Sequence, residues 1–150
     1  SNRFALMKYV ALIEQSHQNF SNHCMILFDV DKFKAVNDQH GHVVGDRVIE
    51  AVALTMKDHI RATDVLVRYG GDEFLILLEH VDLAQALQIA EKVRLAVLDI
   101  MLQVGNSAQP LTVSVSAGVA TGEQMWVDLL EKADEALFRA KVKGRNVVSD

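Results

Sequence analysis

Residues 23–28 read His-Cys-Met-Ile-Leu-Phe, and the run reaches Val30 with only Asp29 interrupting it. A strand this continuously apolar is buried on both faces, which places it at the centre of a sheet covered by helices on either side. The neighbouring segments supply those covers. Leu6, Tyr9, Val10, Ile13 and His17 form one stripe of a helix expected over 3–19. A polar, glycine-punctuated stretch from Lys32 to Gly45 leads into a second helix over about 46–61, with Val48, Ile49, Val52, Ala53, Met56 and Ile60 at helical spacing. Two β-rich runs, 65–69 and 74–78, flank Gly70-Gly71-Asp72-Glu73 and predict a hairpin whose glycines take positive φ angles. A long helix over 82–101 follows, then a loop at Gly105-Asn106-Ser107 and a strand at 111–120 after Pro110. The last helix, about 125–142, stops at Gly144 as its C-terminal cap, and Val147-Val148 adds a short edge strand. The order α-β-α-β-β-α-β-α-β predicts an α/β (α+β) fold with a mixed central sheet flanked by helices. No repeat or linker divides residues 1–150, so they are read as one domain, long enough to bury roughly 68–70% of its unfolded surface.

Composition narrows the classes of function. Half the residues are apolar and 23% are charged, as in a globular protein and unlike a disordered one. No apolar run reaches the ~20 residues of a membrane span, and no signal peptide is visible. Cys24, the single cysteine, sits in the apolar run as a structural thiol and fits a reducing compartment. A cytoplasmic domain is expected, in a full-length protein free to be membrane-anchored elsewhere. The net charge of −5 offers no general attraction to nucleic acid or to a membrane surface. An anionic substrate therefore needs local help from a metal, a helix N-terminus or placed Lys and Arg side chains.

The acidic residues are where such help concentrates. Asp29 and Asp31 end the apolar strand, and strand alternation puts both on one face with Val30 on the other. Asp72 and Glu73 follow two glycines at the hairpin tip. If the hairpin lies beside the first strand, Asp29 and Asp72 converge on one cation, and their hard oxygens with a backbone carbonyl suit Mg²⁺ or Mn²⁺ rather than zinc. Taken singly, an Asp at a strand end is an ordinary turn former and an Asp-Glu pair at a hairpin tip is ordinarily solvated.

Four separated motifs carry more than any one of these features. Arg68-Tyr69-Gly70-Gly71-Asp72-Glu73-Phe74 resembles the signature of the GGDEF family of diguanylate cyclases. Phe28-Asp29-Val30-Asp31-Lys32-Phe33-Lys34-Ala35-Val36-Asn37-Asp38 resembles the family's first-strand motif, and His40-Gly41-His42-Val43-Val44-Gly45-Asp46 its continuation. Residues 133–141 with Gly144-Arg145-Asn146 resemble its C-terminal pattern. The resemblance spans nearly the whole chain and implies a nucleotidyl-cyclase or polymerase-palm fold. It also implies roles: Asp29, Asp72 and Glu73 at the catalytic centre, with Asp29, the Val30 carbonyl and Asp72 holding the metal. Glu73 assists either the metal or proton removal. Backbone N–H groups of Lys32-Phe33-Lys34 cradle the β- and γ-phosphates of GTP, and Lys141 and Arg145 meet them from the C-terminal side. Read without the resemblance, those two cations are a solvated helix end favoured by the macrodipole.

Asn37 and Asp46 are implied to choose the base, with Gly71 and His42 among the further GTP contacts. One carboxylate can accept from both guanine N1–H and the exocyclic amine, whereas adenine leaves it unmatched, a mismatch worth factors of about 10⁴–10⁵ in such sites. Asp46 is also readable as a cap of the following helix. His40 and His42 are better read as loop packing than as metal ligands. Arg61-Ala62-Thr63-Asp64 resembles the family's RxxD product-inhibition site for cyclic di-GMP, with Lys92 or Arg94 standing in for a second arginine. A lysine there lacks arginine's bidentate fork, which implies weaker inhibition.

The implied activity is condensation of two GTP into cyclic di-GMP by an antiparallel homodimer of half-sites. The rival reading is a silent module that binds GTP or cyclic di-GMP, and the intact acids stand against it. Mixed-dinucleotide synthesis is disfavoured by Asp46. The family's Asp-x-Leu-Thr segment before Asn2-Arg3 is missing, so an upstream regulatory region that supplies dimerisation is expected. The segment between Gly118 and Leu129 is also shorter than in many relatives.

Overall fold

A computed structural model describes residues 3–150, leaving Ser1 and Asn2, and with them half of the Asn2-Arg3 pair, outside the described residues. In chain order the elements are α1 (Arg3–Gln15), β1 (His23–Val30), α2 (Phe33–His40), α3 (His42–Lys57), β2 (Val65–Arg68), β3 (Glu73–Glu79), α4 (Leu83–Leu98), β4 (Val115–Thr121), α5 (Trp126–Val142) and β5 (Val148–Ser149). The strands form one mixed sheet in the order β2-β3-β1-β4-β5. β1 is central and antiparallel to both β3 and β4, while β5 adds to the far edge parallel to β4.

The alternation of β1 divides the core in two. Cys24, Ile26, Phe28 and Val30 pack with α3 and α4. Met25 and Leu27 pack with α1 and α5 on the opposite face. Asp29 shares the parity of Met25 and Leu27, so its carboxylate emerges on the α5 side, where that face opens at the end of the strand. The α5 helix lies very close to β4. A Cβ at Gly118 would stand 2.2 Å from the Leu137 backbone nitrogen and 2.4 Å from the Ala133 oxygen, so only glycine admits this contact. α5 ends in a Schellman motif: Gly144 at φ 113° donates to the Lys141 carbonyl (3.2 Å), and Arg145 donates to the Ala140 carbonyl (3.1 Å).

Several boundaries differ from the sequence-based expectation. α1 stops at Gln15, and His17 is an exposed left-handed residue (φ 59°) rather than the end of the stripe. The stretch before residue 46 is helical: α2 and α3 meet at Gly41, whose φ of 87° ends one and starts the other. β4 begins only at Val115, because Leu111 makes an isolated bridge to Leu102 and the Ser114 side chain turns to Asp31. No helix of the described residues is long and apolar enough to cross a membrane.

Candidate active site

The hairpin between β2 and β3 is fastened to the end of β1. The Val30 N–H donates to the Asp72 carbonyl (3.0 Å), and Asp29 faces Glu73 directly across the β1–β3 ladder. This brings the two acidic features together as expected. The glycines act differently from the expectation: neither Gly70 nor Gly71 takes a positive φ. Gly70 instead leaves space for Glu73, whose Oε1 would lie 3.0 Å from a Cβ at that position. Arg68 holds the turn by donating from Nη2 to the Gly71 carbonyl (2.6 Å) and from Nε to the Gly70 carbonyl (3.3 Å).

Asp29 is poised between protonation and ionisation. Its Oδ2 pairs with Lys141 from α5, while its Oδ1 is buried without a hydrogen-bond partner among the described residues. Burial pushes its pKa from 3.8 up to about 6; Lys141 opposes this and Asp72 adds to it. That burial and Asp72 prevail over a direct lysine contact identifies a site short of positive charge. Glu73 is likewise pushed up, first by burial and then by Asp29. Two carboxylates and an orphaned oxygen fit a hard cation. Among the described residues no group of three or more His, Cys, Asp or Glu side chains is arranged for a metal. A cation here would complete its shell with the Val30 carbonyl, water and substrate phosphates, the usual habit of Mg²⁺.

Beside these acids lies a hollow of about 180 Å³ whose walls include Asp29, Asp72, Lys32, Phe33, Lys34, Lys141 and Arg145. Lys32 stands at the N-terminus of α2 in left-handed geometry (φ 55°), and no side chain among the described residues caps that end. Uncapped N–H groups at a helix start are suited to an anion. A larger hollow of about 450 Å³ adjoins across Asp31, Lys32 and Arg145, but neither Asp29 nor Asp72 lines it.

Asn37 and Asp46 are joined by the packing of α2 on α3. The Asn37 Oδ1 occupies the space beside Gly45, 1.9 Å from where a Cβ would stand, directly next to position 46 in sequence. Asp46 lies in the second turn of α3 and is exposed, so it is not the cap of that helix; Gly41 is. His42 opens α3 and Gly71 lies in the hairpin turn; both are exposed and neither lines the 180 Å³ hollow.

The Arg61–Asp64 pair forms as a bidentate contact (Nη2 to Oδ1 2.8 Å, Nε to Oδ2 3.2 Å), and Arg61 also donates to the Glu79 carbonyl. A hollow of about 380 Å³ beside it is lined by Lys57, Ile60 and Leu66 among others, not by Lys92 or Arg94. Arg94 belongs elsewhere: it donates to Glu91 (2.5 Å) and to the Asn146 Oδ1 (2.8 Å). In this structure α4 turns the Arg94 side chain toward the chain's C-terminal segment. The cation that does line the hollow, Lys57, escaped the sequence reading because nothing in its local pattern distinguishes it from a helix-end lysine. Asp31 also proves to be a local organiser, accepting from the Ser114 Oγ (2.6 Å), the Ser116 Oγ (2.5 Å) and the Asn146 N–H (3.0 Å). Its partners lie 83 to 115 residues away, beyond any local signal.

Known proteins place this arrangement. Residues 1–147 match the family described as "Diguanylate cyclase, GGDEF domain". The response regulator PleD of Caulobacter vibrioides is 40% identical over 126 residues, 82% of this chain and 28% of that protein. The diguanylate cyclase DosC of Escherichia coli is 38% identical over 125 residues, 83% of this chain and 27% of its own length. The chain thus spans less than a third of the length of these relatives. The crystal structure of the GGDEF domain of DgcB from Caulobacter crescentus in complex with c-di-GMP matches with a TM-score of 0.79 at 31% identity, covering 93% of this chain and 79% of that one. With its signature hairpin tied to the Asp29 strand, and with relatives and fold in agreement, this chain belongs to the GGDEF-domain family of diguanylate cyclases.

Proposed function

We propose that this domain is one half-site of a diguanylate cyclase, binding one GTP and facing a second copy antiparallel, so that two GTP become cyclic di-GMP and two pyrophosphates. The observation that carries this reading is Asp29: a half-buried carboxylate whose Oδ1 is buried without a partner among the described residues, next to Asp72 and paired through Oδ2 with Lys141. A Mg²⁺ or Mn²⁺ held by Asp29, the Val30 carbonyl and Asp72 would neutralise charge at the α-phosphate and lower the pKa of the attacking 3′-hydroxyl. The chain's own residues do the rest. The free N–H groups at the start of α2, with Lys34, Lys141 and Arg145, hold the triphosphate and keep the leaving pyrophosphate neutralised. Asn37 and Asp46 hold guanine, the latter accepting from N1–H and the exocyclic amine. Glu73, with its proton affinity raised by burial and then by Asp29, is suited to receive the 3′-hydroxyl proton. Cyclic di-GMP inhibits at the Arg61–Asp64 pair, with Lys57 rather than Arg94 as the neighbouring cation.

The direct test is product formation from GTP and Mg²⁺ at high protein concentration, with nucleotides resolved by chromatography. Wild type should make cyclic di-GMP at a rate rising steeply with protein concentration, and Asp72→Ala none. Absence of product even from a forced dimer would overturn the enzymatic reading, and tight GTP binding without turnover would mark a sensor.

A further inference from the structure

Two consecutive residues after α5, Arg145 (φ 66°) and Asn146 (φ 49°), stand in the left-handed region although neither is glycine. That region is uncommon for residues with a Cβ, and arginine enters it less readily than asparagine, so what holds the pair there is informative. Here the contacts converge on Asn146. Its N–H donates to the Asp31 Oδ2 (3.0 Å) and lies 3.2 Å from the Ser116 Oγ. Its side-chain Oδ1 accepts from Arg94 Nη1 (2.8 Å), which also reaches its backbone carbonyl (3.3 Å). Arg94 is itself aimed by Glu91, a turn earlier on α4, and its side chain is only 17% exposed. Arg145 is the opposite case. It is exposed on the wall of the active-site hollow, and its guanidinium has no hydrogen-bond or ion-pair partner among the described residues. Its direction therefore follows its backbone, which is held on one side by its own N–H bond to the Ala140 carbonyl and on the other by the grip on Asn146.

We infer that Arg94 is a positioning residue for Arg145: by holding Asn146 in left-handed geometry, it aims the Arg145 guanidinium at the triphosphate of bound nucleotide. Arg94 lines neither hollow beside Arg145, so it acts through Asn146 and does not touch the ligand. This inference rests on the reading above that Arg145 meets the phosphates.

The test is calorimetric titration of the domain with a non-hydrolysable GTP analogue and Mg²⁺. Arg145→Ala should weaken binding about 10–100-fold, the range for losing a charge-assisted contact. Arg94→Ala should weaken it about fivefold or more, and Asn146→Gly should do likewise. Asn146→Gly changes no charge and adopts the same φ without strain, so it separates positioning from loss of a distant cation and keeps the fold. In an Arg145→Ala background, Arg94→Ala should add less than twofold, although any lowering of the melting temperature by Arg94→Ala persists in both backgrounds. Unchanged binding in folded Arg94→Ala and Asn146→Gly, or full additivity with Arg145→Ala, would overturn the positioning role while leaving Arg145 as a phosphate ligand. If Arg145→Ala itself binds like wild type, the phosphate reading fails and the inference with it.

Discussion

Strand β1 has, among the described residues, a buried polar atom without a partner near each end, and the two ends treat it differently. At the start, the His23 Nδ1 is unpartnered while its Nε2 contacts the Tyr9 hydroxyl (3.0 Å), and the ring packs 5.0 Å from Phe20. Burial lowers the pKa of His23, so the imidazole is neutral and the aromatic corner tolerates it. At the far end burial acts on Asp29 in the same sense, against charge, but there it leaves an acid with a pKa of about 6 and an oxygen awaiting a cation or a proton. One desolvation effect thus leaves a neutral packing group at one end and, at the other, the acid proposed to hold a cation. The chemical sign of the group decides which.

That contrast can be broken experimentally. The largest effect should come from Asp29→Asn, which keeps the shape and removes the charge: cyclic di-GMP formation should fall on the order of 100-fold or more. Its melting temperature in metal-free buffer should not fall, and a gain of about 1–2 kcal/mol is expected. A shift from 3.8 to about 6 would be worth roughly 3 kcal/mol in full, and partial solvent access reduces it. A large loss of stability in this variant would show that Asp29 is a structural residue.

Gly118→Ala should disturb both ends at once. It lifts α5, which carries Trp126 against Phe20 near His23 and Lys141 against Asp29. Overpacking of this kind costs about 1–3 kcal/mol, readable in denaturant unfolding, and GTP affinity should drop with it. His23→Ala should cost about 2 kcal/mol through the cavity it leaves, with turnover per folded molecule unchanged.

The smallest effect is the dependence of stability on pH in metal-free buffer, and here the two ends oppose each other. The folded pKa of His23 is lowered, so its contribution is present above about pH 6.5 and is lost as pH falls from there. The folded pKa of Asp29 is raised, so its contribution is present below 3.8 and is lost as pH rises through about 6. Asp29→Asn should therefore lose stability more steeply on acidification than wild type, and His23→Ala less steeply. Each change is at most one proton, or about 1.4 kcal/mol per pH unit.

Elements whose signal is local were legible in the sequence. β1 was legible at its observed bounds because a nearly continuous apolar run has one stable location, and α5 within one residue because its apolar stripe ends at a glycine. The convergence of Asp29 and Asp72 followed from alternation plus a hairpin, and the hairpin does lie beside β1. Where two readings of a glycine competed, sequence could not choose between them. Gly70 and Gly71 serve space and a carbonyl clamp rather than a positive φ, whereas Gly41 divides what looked like one loop into two helices.

By itself, the sequence determined the covered mixed sheet and the family and marked the acids proposed for the site, because these rest on periodicity and on motifs only a few residues long. Tertiary structure alone decided that Lys141 pairs with Asp29, that Lys57 rather than Arg94 lines the Arg61 hollow, and that Arg94 and Asp31 meet at Asn146. The Lys141–Asp29, Arg94–Asn146 and Asp31–Asn146 contacts join residues 52 to 115 positions apart, and their geometry depends on how closely α5 and α4 settle on the sheet. Helix-to-sheet distance is set by the side chain absent at Gly118 and by the packing around it, a property of volume in three dimensions that no local pattern encodes.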